Sequence, residues 1–367
     1  MKVLFAGGGT AGHINPALAI ANYIAEKNPD TDIGFVGTKE GLEVSLVPHS
    51  GYPIEYIKVH GFERKISLGT LKAALELPKA LLDSSRIIKK FNPDIVIGTG
   101  GYVCGPVLLA AAKKGIPTLV HESNAFPGIT TKLLASSVDT VAVGIEAAKD
   151  MIKGAKKVVF TGSPVRPPIL KVKKSDARRK LNLDERPFIL IFGGSLGARD
   201  FNSAIAEWIV EESKHARYRI LMGTGKNGYA DVIKKINLSG VDLSENGDIM
   251  VKDYIYDMDI AMNAADIVIS RAGASTLSEL TAIGKPAILV PSPYVADNHQ
   301  EHNARAIEKG GGAKVIMESE LNADSIEKAV SEMTENSEKL SMMSEASRKM
   351  GVPDSTEIIY KEIMSLI

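Results

Sequence analysis

Val3-Leu4-Phe5-Ala6-Gly7-Gly8-Gly9-Thr10-Ala11-Gly12-His13 and Phe188-Ile189-Leu190-Ile191-Phe192-Gly193-Gly194-Ser195-Leu196-Gly197-Ala198-Arg199 carry the same pattern half a chain apart. In each, an apolar run feeds a glycine-rich turn that opens onto a helical sequence. One such turn reads as a phosphate cradle. Two, at matching places in halves of similar length, predict two nucleotide-type domains facing across a cleft, and the cleft is where function is to be sought.

Working outward, short β-branched or leucine-rich runs alternate with helical patterns. Strands are expected at 2–6, 32–36, 54–57, 95–97, 118–120 and 140–143 in the first half. The second half supplies 188–192, 219–222, 249–251, 267–269, 287–290 and 313–316. Most are continuously apolar rather than alternating, so helices must cover both faces of each sheet. The fold class is therefore α/β, with two Rossmann-like, doubly wound parallel-sheet domains. Thr161-Gly162-Ser163-Pro164-Val165-Arg166-Pro167-Pro168 and the polar stretch Lys171 to Arg186 read as the joint between them. That gives domains at 1–164 and 165–352. Gly351 stops one helix and Pro353-Asp354-Ser355 starts the last, Thr356 to Leu366, which is expected to pack back across the joint.

The chain has 367 residues, 44% of them apolar, enough for two cores. Its net charge is zero, which gives no global attraction to nucleic acid. The single cysteine, Cys104, excludes an internal disulfide framework and fits a reducing compartment. The opening Met1 to Ala6 meets glycine too early for a signal peptide, and no run approaches the ~18 apolar residues of a membrane span. A cytoplasmic protein with at most peripheral membrane contact is expected.

Gly7-x-Gly9-x-x-Gly12 matches the dinucleotide fingerprint, yet the second strand ends Phe35-Val36-Gly37-Thr38, without the acidic residue that holds an NAD ribose. Asn15-Pro16 is read as a helix start whose amides face an anion, with His13 at its mouth. A ligand-free tight turn would look the same, and His13 alone fits a capping role as well as a base. Gly98-Thr99-Gly100-Gly101-Tyr102 lets backbone approach a ligand, or is a loop kept small for packing. His121-Glu122-Ser123-Asn124 sits at the carboxyl edge of a sheet, where ligands bind and where turns also need such residues.

In the second half Ser270-Arg271-Ala272-Gly273-Ala274-Ser275-Thr276 leads into Leu277-Ser278-Glu279-Leu280. Small residues there expose helix amides to a diphosphate, with Glu279 placed for ribose hydroxyls; a plain cap followed by a surface glutamate is the alternative. Ala296 to Asn303 gathers amides and carboxylates, which suits a sugar or a solvated helix start.

These motifs, in order over nearly the whole chain and together with Gly162-Ser163-Pro164-Val165-Arg166, resemble the MurG family of GT-B glycosyltransferases. Members move N-acetylglucosamine from UDP-GlcNAc to undecaprenyl-linked lipid I, forming lipid II for peptidoglycan. The resemblance implies an inverting transfer, with the donor held by Thr10, Ala11, Gly12, Asn124, Arg166, Ser195, Ile255, Ala274, Ser275, Thr276, Leu277, Ser278, Glu279 and Gln300. It further implies that Gly9, Gly100, Gly101 and Tyr102 receive the acceptor diphosphate and that His13 is the general base. The first domain then faces acceptor and membrane, and the second binds UDP-GlcNAc. Departures from the family pattern are Ser123 for a frequent Gln, Thr131 for a frequent Asn, and Ala11 for a common glycine.

Departure of UDP builds charge that a helix N-terminus and Arg166 can stabilise without metal or other cofactor. Asp30-Thr31-Asp32 and Asp257-Met258-Asp259 fit turn and capping duty better than metal ligation. Lys58 to Lys90 holds eight basic residues (Lys58, Arg64, Lys65, Lys72, Lys79, Arg86, Lys89, Lys90) against three acidic ones (Glu63, Glu76, Asp83). Ile66, Leu68, Leu71, Leu75, Leu81, Leu82 and Ile88 interleave with them. This reads as an amphipathic face for the inner surface of the cytoplasmic membrane, or as a core-facing helix with a solvated side. Two other classes stay open: an NAD-dependent oxidoreductase and a non-catalytic sugar-nucleotide-binding protein.

Overall fold

A computed structural model describes residues 1–59, 68–194, 197–243 and 246–367, with 68–75 as backbone only. The chain forms two compact units, Met1–Val165 with Asp354–Ile367, and Arg166–Pro353.

The first unit is built on β1 (Lys2–Ala6), β2 (Asp32–Gly37), β3 (Ile54–Tyr56), β4 (Ile95–Gly98), β5 (Thr118–Glu122), β6 (Thr140–Val143) and β7 (Val158–Phe160). All are parallel, in the order β3-β2-β1-β4-β5-β6-β7. Continuous apolar strands bury both faces: Leu4, Val96 and Val120 face one core with Val107 and Leu108, while Val3, Phe5 and Ile97 face another with Ile14, Ile20 and Ile24. Phe5 stacks on Phe35 at 5.1 Å, locking β1 to β2.

The second unit carries β8 (Phe188–Phe192), β9 (Arg219–Gly223), β10 (Ile249–Lys252), β11 (Ile267–Ser270), β12 (Ala287–Leu289) and β13 (Ala313–Val315), parallel in the order β10-β9-β8-β11-β12-β13. In both sheets the first strand of the unit lies between strands that lead outward in opposite directions. This creates a topological switch point, where the loops at the carboxyl ends part and leave a crevice. The switch lies between β1 and β4 in one sheet and between β8 and β11 in the other; glycine-rich turns follow β1, β4 and β8, and the Arg271-Ala272-Gly273 turn follows β11.

Three expectations from sequence are corrected, and one strand is added. The stretch Lys171 to Arg186 is not a linker: Lys174–Lys180 is a helix of the second unit, pinned by Lys174 and Arg178 to Asp266 at 2.5 and 2.8 Å. The first helix spans Ala11–Lys27 rather than starting at Asn15-Pro16; Pro16 lies inside it, and the Gly12 carbonyl it cannot serve is at the exposed end. His121 and Glu122 belong to β5 itself. An edge strand, β7, follows Lys156-Lys157 with only half-buried residues, a pattern too weak to mark it in sequence.

The last helix, Ser355–Met364, completes the first unit. Ile359 and Ile363 enter the core beside the Ala11–Lys27 helix, Tyr360 packs on Tyr23 at 5.6 Å, and Asn28 Nδ2 donates to Tyr360 Oη at 2.6 Å. Ser355 Oγ donates to Ser163 O at 2.8 Å.

Candidate functional site

At the first switch point the two glycine turns interlock. Gly8 N donates to Gly100 O at 3.3 Å and Thr99 N to Ala6 O at 3.0 Å. Gly101 adopts φ +84°, and a Cβ there would collide with Gly8 O, so glycine alone permits this approach. Cys104 ties the turns from beneath: its one S–H faces Ala6 O at 3.0 Å and Gly100 O at 3.1 Å, and its sulfur accepts from Gly100 N. Burial pushes that thiol up to about 12, so it is a structural group and not a nucleophile.

His13 is half-buried in the first helical turn, with its ring against Gly100. Its Nδ1 lies 3.0 Å from Gly8 O and 3.3 Å from Thr10 Oγ1. A carbonyl oxygen only accepts, so the contact with Gly8 puts the ring proton on Nδ1 and leaves Nε2 with a free lone pair. Glu43, which belongs to none of the motifs recognised in the sequence, is fully buried behind the turn. Its carboxylate accepts from Gly9 N at 2.9 Å, Thr38 N at 2.9 Å and Thr38 Oγ1 at 2.8 Å. Burial alone raises its pKa, but the bonds from the Thr38, Glu43 and Gly9 amides outweigh that and hold the carboxyl below its ordinary range. This acid is engaged by the turn itself and is not turned out toward a ligand.

The string His121 to Asn124 is mainly architectural. His121 is buried with Nε2 3.0 Å from Gly162 O. Glu122 accepts from Asn124 N and Nδ2, Gly128 N and Thr131 Oγ1 at 2.7–3.1 Å, organising the loop in which Asn124 stands half-buried. Tyr102 is exposed beside Gly101.

In the second unit the helix Ala274–Ala282 follows β11. Gly273 holds the N-cap position without a side chain to cap it, and the first amide to bond back into the helix is that of Leu277, to Gly273 O at 3.0 Å. Ala274, Ser275 and Thr276 therefore present the amides a helix cannot satisfy internally. Leu277 faces the core and Ser278 Oγ bonds to Ala274 O at 2.9 Å, so these two offer a ligand little beyond backbone. Glu279, one turn on, receives Arg166 Nε and Nη2. Ile255 is buried against Gly223 after β10.

A cavity of about 510 Å³ lies between the β8 turn and this helix, lined among others by Gly194, Arg271, Gly273, Thr276 and Gln300. Gln300 is fixed by accepting from Ser292 N at 2.9 Å. Arg271, on the cavity wall, is paired with Glu318 and donates to Val290 O at 3.2 Å. Thr276 and Gln300 thus share one cavity, whereas Arg166, Glu279 and Ile255 are not on its wall. Ser195 lies outside the described residues, as do Glu63, Arg64, Lys65, Ile66 and the side chains of Leu68, Leu71, Lys72 and Leu75.

Residues 3–143 match the N-terminal domain of glycosyltransferase family 28 and residues 188–359 its C-terminal domain. The chain is 49% identical to the UDP-N-acetylglucosamine–N-acetylmuramyl-(pentapeptide) pyrophosphoryl-undecaprenol N-acetylglucosamine transferase of Acetivibrio thermocellus, over 100% of this chain and 98% of that protein. The chain belongs to glycosyltransferase family 28, in its MurG branch. The transferase of the same name from Ruminiclostridium cellulolyticum is likewise 49% identical, over 100% of both chains. The crystal structure of MurG from Acinetobacter baumannii superposes with a TM-score of 0.82 at 29% identity, covering 99% of each chain. Family membership fixes the fold as two Rossmann-like units of the glycosyltransferase kind and the chain as a glycosyltransferase. Among the described residues no helix is long and apolar enough to cross a membrane. Nor do three His, Cys, Asp or Glu side chains gather there as a metal site. Of the Asp-x-Asp strings, Asp30 stands in a turn before β2 and Asp257 at a helix N-cap position without a capping bond.

Proposed function

We propose that this family 28 member transfers N-acetylglucosamine from UDP-GlcNAc to undecaprenyl-linked lipid I, forming lipid II with inversion at the anomeric carbon. The observation that carries this reading is full-length 49% identity to relatives curated with that reaction in their name. The unsatisfied amides of Ala274 to Thr276 suit the donor diphosphate, and Glu279 suits its ribose. Arg166, Ser195, Ile255, Leu277, Ser278 and Gln300 are further donor contacts, and Thr10, Ala11, Gly12 and Asn124 are assigned to the donor as well. Gly9, Gly100, Gly101 and Tyr102 offer backbone and an exposed ring to the acceptor diphosphate. His13 Nε2 takes the proton from the attacking acceptor hydroxyl as the hydroxyl oxygen bonds to the anomeric carbon. The bond to UDP breaks, and its charge falls on the amides and Arg166.

A lipid acceptor places the first unit at the inner membrane surface. In the described part of the helix Leu68–Phe91, Ala80, Ser84 and Ile88 turn into the core, while Lys79, Leu82 and Arg86 stay exposed, as an interfacial face requires. The test is transfer of labelled GlcNAc to a lipid I analogue by the wild type, His13→Ala and Glu279→Ala. Wild-type lipid II formation is expected, with turnover lowered about a thousandfold but still measurable in His13→Ala. Full turnover in His13→Ala rejects the base assignment, and binding of UDP-GlcNAc without transfer rejects the enzyme reading.

A further inference from the structure

Glu43 and His13 lie on opposite sides of one peptide unit. The N–H of Gly9 and the C=O of Gly8 belong to the same amide plane. Glu43 Oε2 accepts from that N–H at 2.9 Å, and His13 Nδ1 meets that carbonyl oxygen at 3.0 Å. The connection is therefore continuous: carboxylate, peptide, imidazole. We propose that Glu43 is a positioning residue for the transfer reaction, acting on His13 through the Gly8–Gly9 peptide and fixing its ring proton on Nδ1. This rests on the reading of His13 as the base.

The physical basis is polarisation along a hydrogen-bond chain. A carboxylate at the N–H end of a peptide shifts electron density toward the carbonyl oxygen of the same unit and makes it a stronger acceptor. A stronger acceptor at Nδ1 favours the tautomer that keeps Nε2 unprotonated. It also stabilises the positive ring formed when Nε2 takes a proton, the service that a carboxylate renders directly in hydrolase triads. The opposite tautomer would set the Nδ1 lone pair against the Gly8 oxygen, offset only by the Thr10 hydroxyl at 3.3 Å.

The surroundings are built for this arrangement. Glu43 is fully buried, and its second oxygen is held by the Thr38 amide and hydroxyl, so the carboxylate cannot swing away from Gly9. A Cβ at Gly8 would stand 2.5 Å from Glu43 Oε1, and a Cβ at Gly41 would collide with Oε2. The glycines thus permit the carboxylate to reach the peptide. Gly9 has φ +88°, a left-handed backbone conformation that glycine adopts without strain.

Two measurements decide the matter. In nitrogen-15 histidine spectra the His13 signal is the one of seven histidines lost in His13→Ala. At a pH where the ring is neutral, wild-type His13 is expected to carry its proton on Nδ1, and Glu43→Gln to shift it toward a tautomer mixture. In transfer assays Glu43→Gln is expected to lower kcat about tenfold with donor KM within about twofold, and to cost nothing further in a His13→Ala background. A wild-type ring protonated on Nε2 overturns the proposal, whether or not the variant folds. So does an unchanged tautomer in a folded Glu43→Gln, or an equal kcat loss in both backgrounds. Absence of any transfer by the wild type rejects the functional reading instead, and leaves the spectra to decide the relay.

Discussion

Arg166 grips both carboxylate oxygens of Glu279, Nε on Oε1 and Nη2 on Oε2, the second bond at 3.0 Å. The Glu279 side chain is 13% exposed and the Arg166 side chain 56%. So open a pair adds little to stability, and its importance is geometric. The planar fork fixes the orientation of a carboxylate whose remaining lone pairs stay available to hydroxyl donors.

Arg166→Ala is therefore expected to change unfolding free energy by less than about 1 kcal/mol, yet to raise donor KM about tenfold, equivalent to ~1.4 kcal/mol. Arg166→Lys should recover little, because a point donor cannot hold both oxygens. Donor KM and a denaturant melt check this, and a Lys variant with wild-type KM contradicts it.

Gly273→Ser separates stability from donor binding. A Cβ at Gly273 meets only Thr276 Oγ1, at 4.0 Å, so the residue fits. A serine at this cap accepts from the amides one turn in and should stabilise the helix by a few tenths of a kcal/mol. Those are the amides assigned to the diphosphate, so UDP-GlcNAc affinity should fall about tenfold. Calorimetry with UDP-GlcNAc beside a thermal melt reads both. Unchanged affinity in a stabilised protein would remove the diphosphate from this helix.

Gly101→Ala forces a Cβ onto Gly8 O in left-handed backbone. A loss of about 2 kcal/mol or more in unfolding free energy is expected, together with nearly all activity. An active, wild-type-stable Gly101→Ala would show that the two turns need not touch.

Acid stability should report His121. Burial lowers its pKa from 6.5, only partly countered by the bond to Gly162 O. Below about pH 6.5 the unfolded chain takes up a proton that the folded chain refuses, so stability declines as pH falls through this window, by at most about 1.4 kcal/mol per pH unit. Melts of wild type and His121→Gln between pH 7.5 and 5.5 should show a shallower decline in the variant, and parallel slopes would refute the assignment.

Strands and glycine turns were legible because each is a local property. Val3 to Ala6 and Ile267 to Ile269 are apolar on both faces, and the left-handed position in the turn behind the first is taken by Gly9 at φ +88°. The Ala274–Ala282 helix start was legible for the same reason. What stayed hidden depends on contacts between distant residues. Glu43 reaches Gly9 across 34 positions; an acid shortly after β2 is the one available signal, and the dinucleotide pattern draws the eye to Glu40 instead. Glu122 looked like an edge ligand because its three partners, Asn124, Gly128 and Thr131, reach it only when the 124–131 loop folds around it. Arg271 stood inside a recognised motif, but its partner Glu318 lies 47 positions away.

Because Ile359 and Ile363 fill a core whose other members precede residue 166, the first unit is interrupted in sequence by the whole of the second. On the ribosome the Val3–Phe5 sheet face must therefore wait, partly uncovered, while 188 further residues emerge and collapse as an independent nucleus. The unit synthesised first is the last to be finished. Residues 166–353 should fold when expressed alone, while 1–165 alone should bind a hydrophobic dye and be rescued by a peptide of residues 354–367.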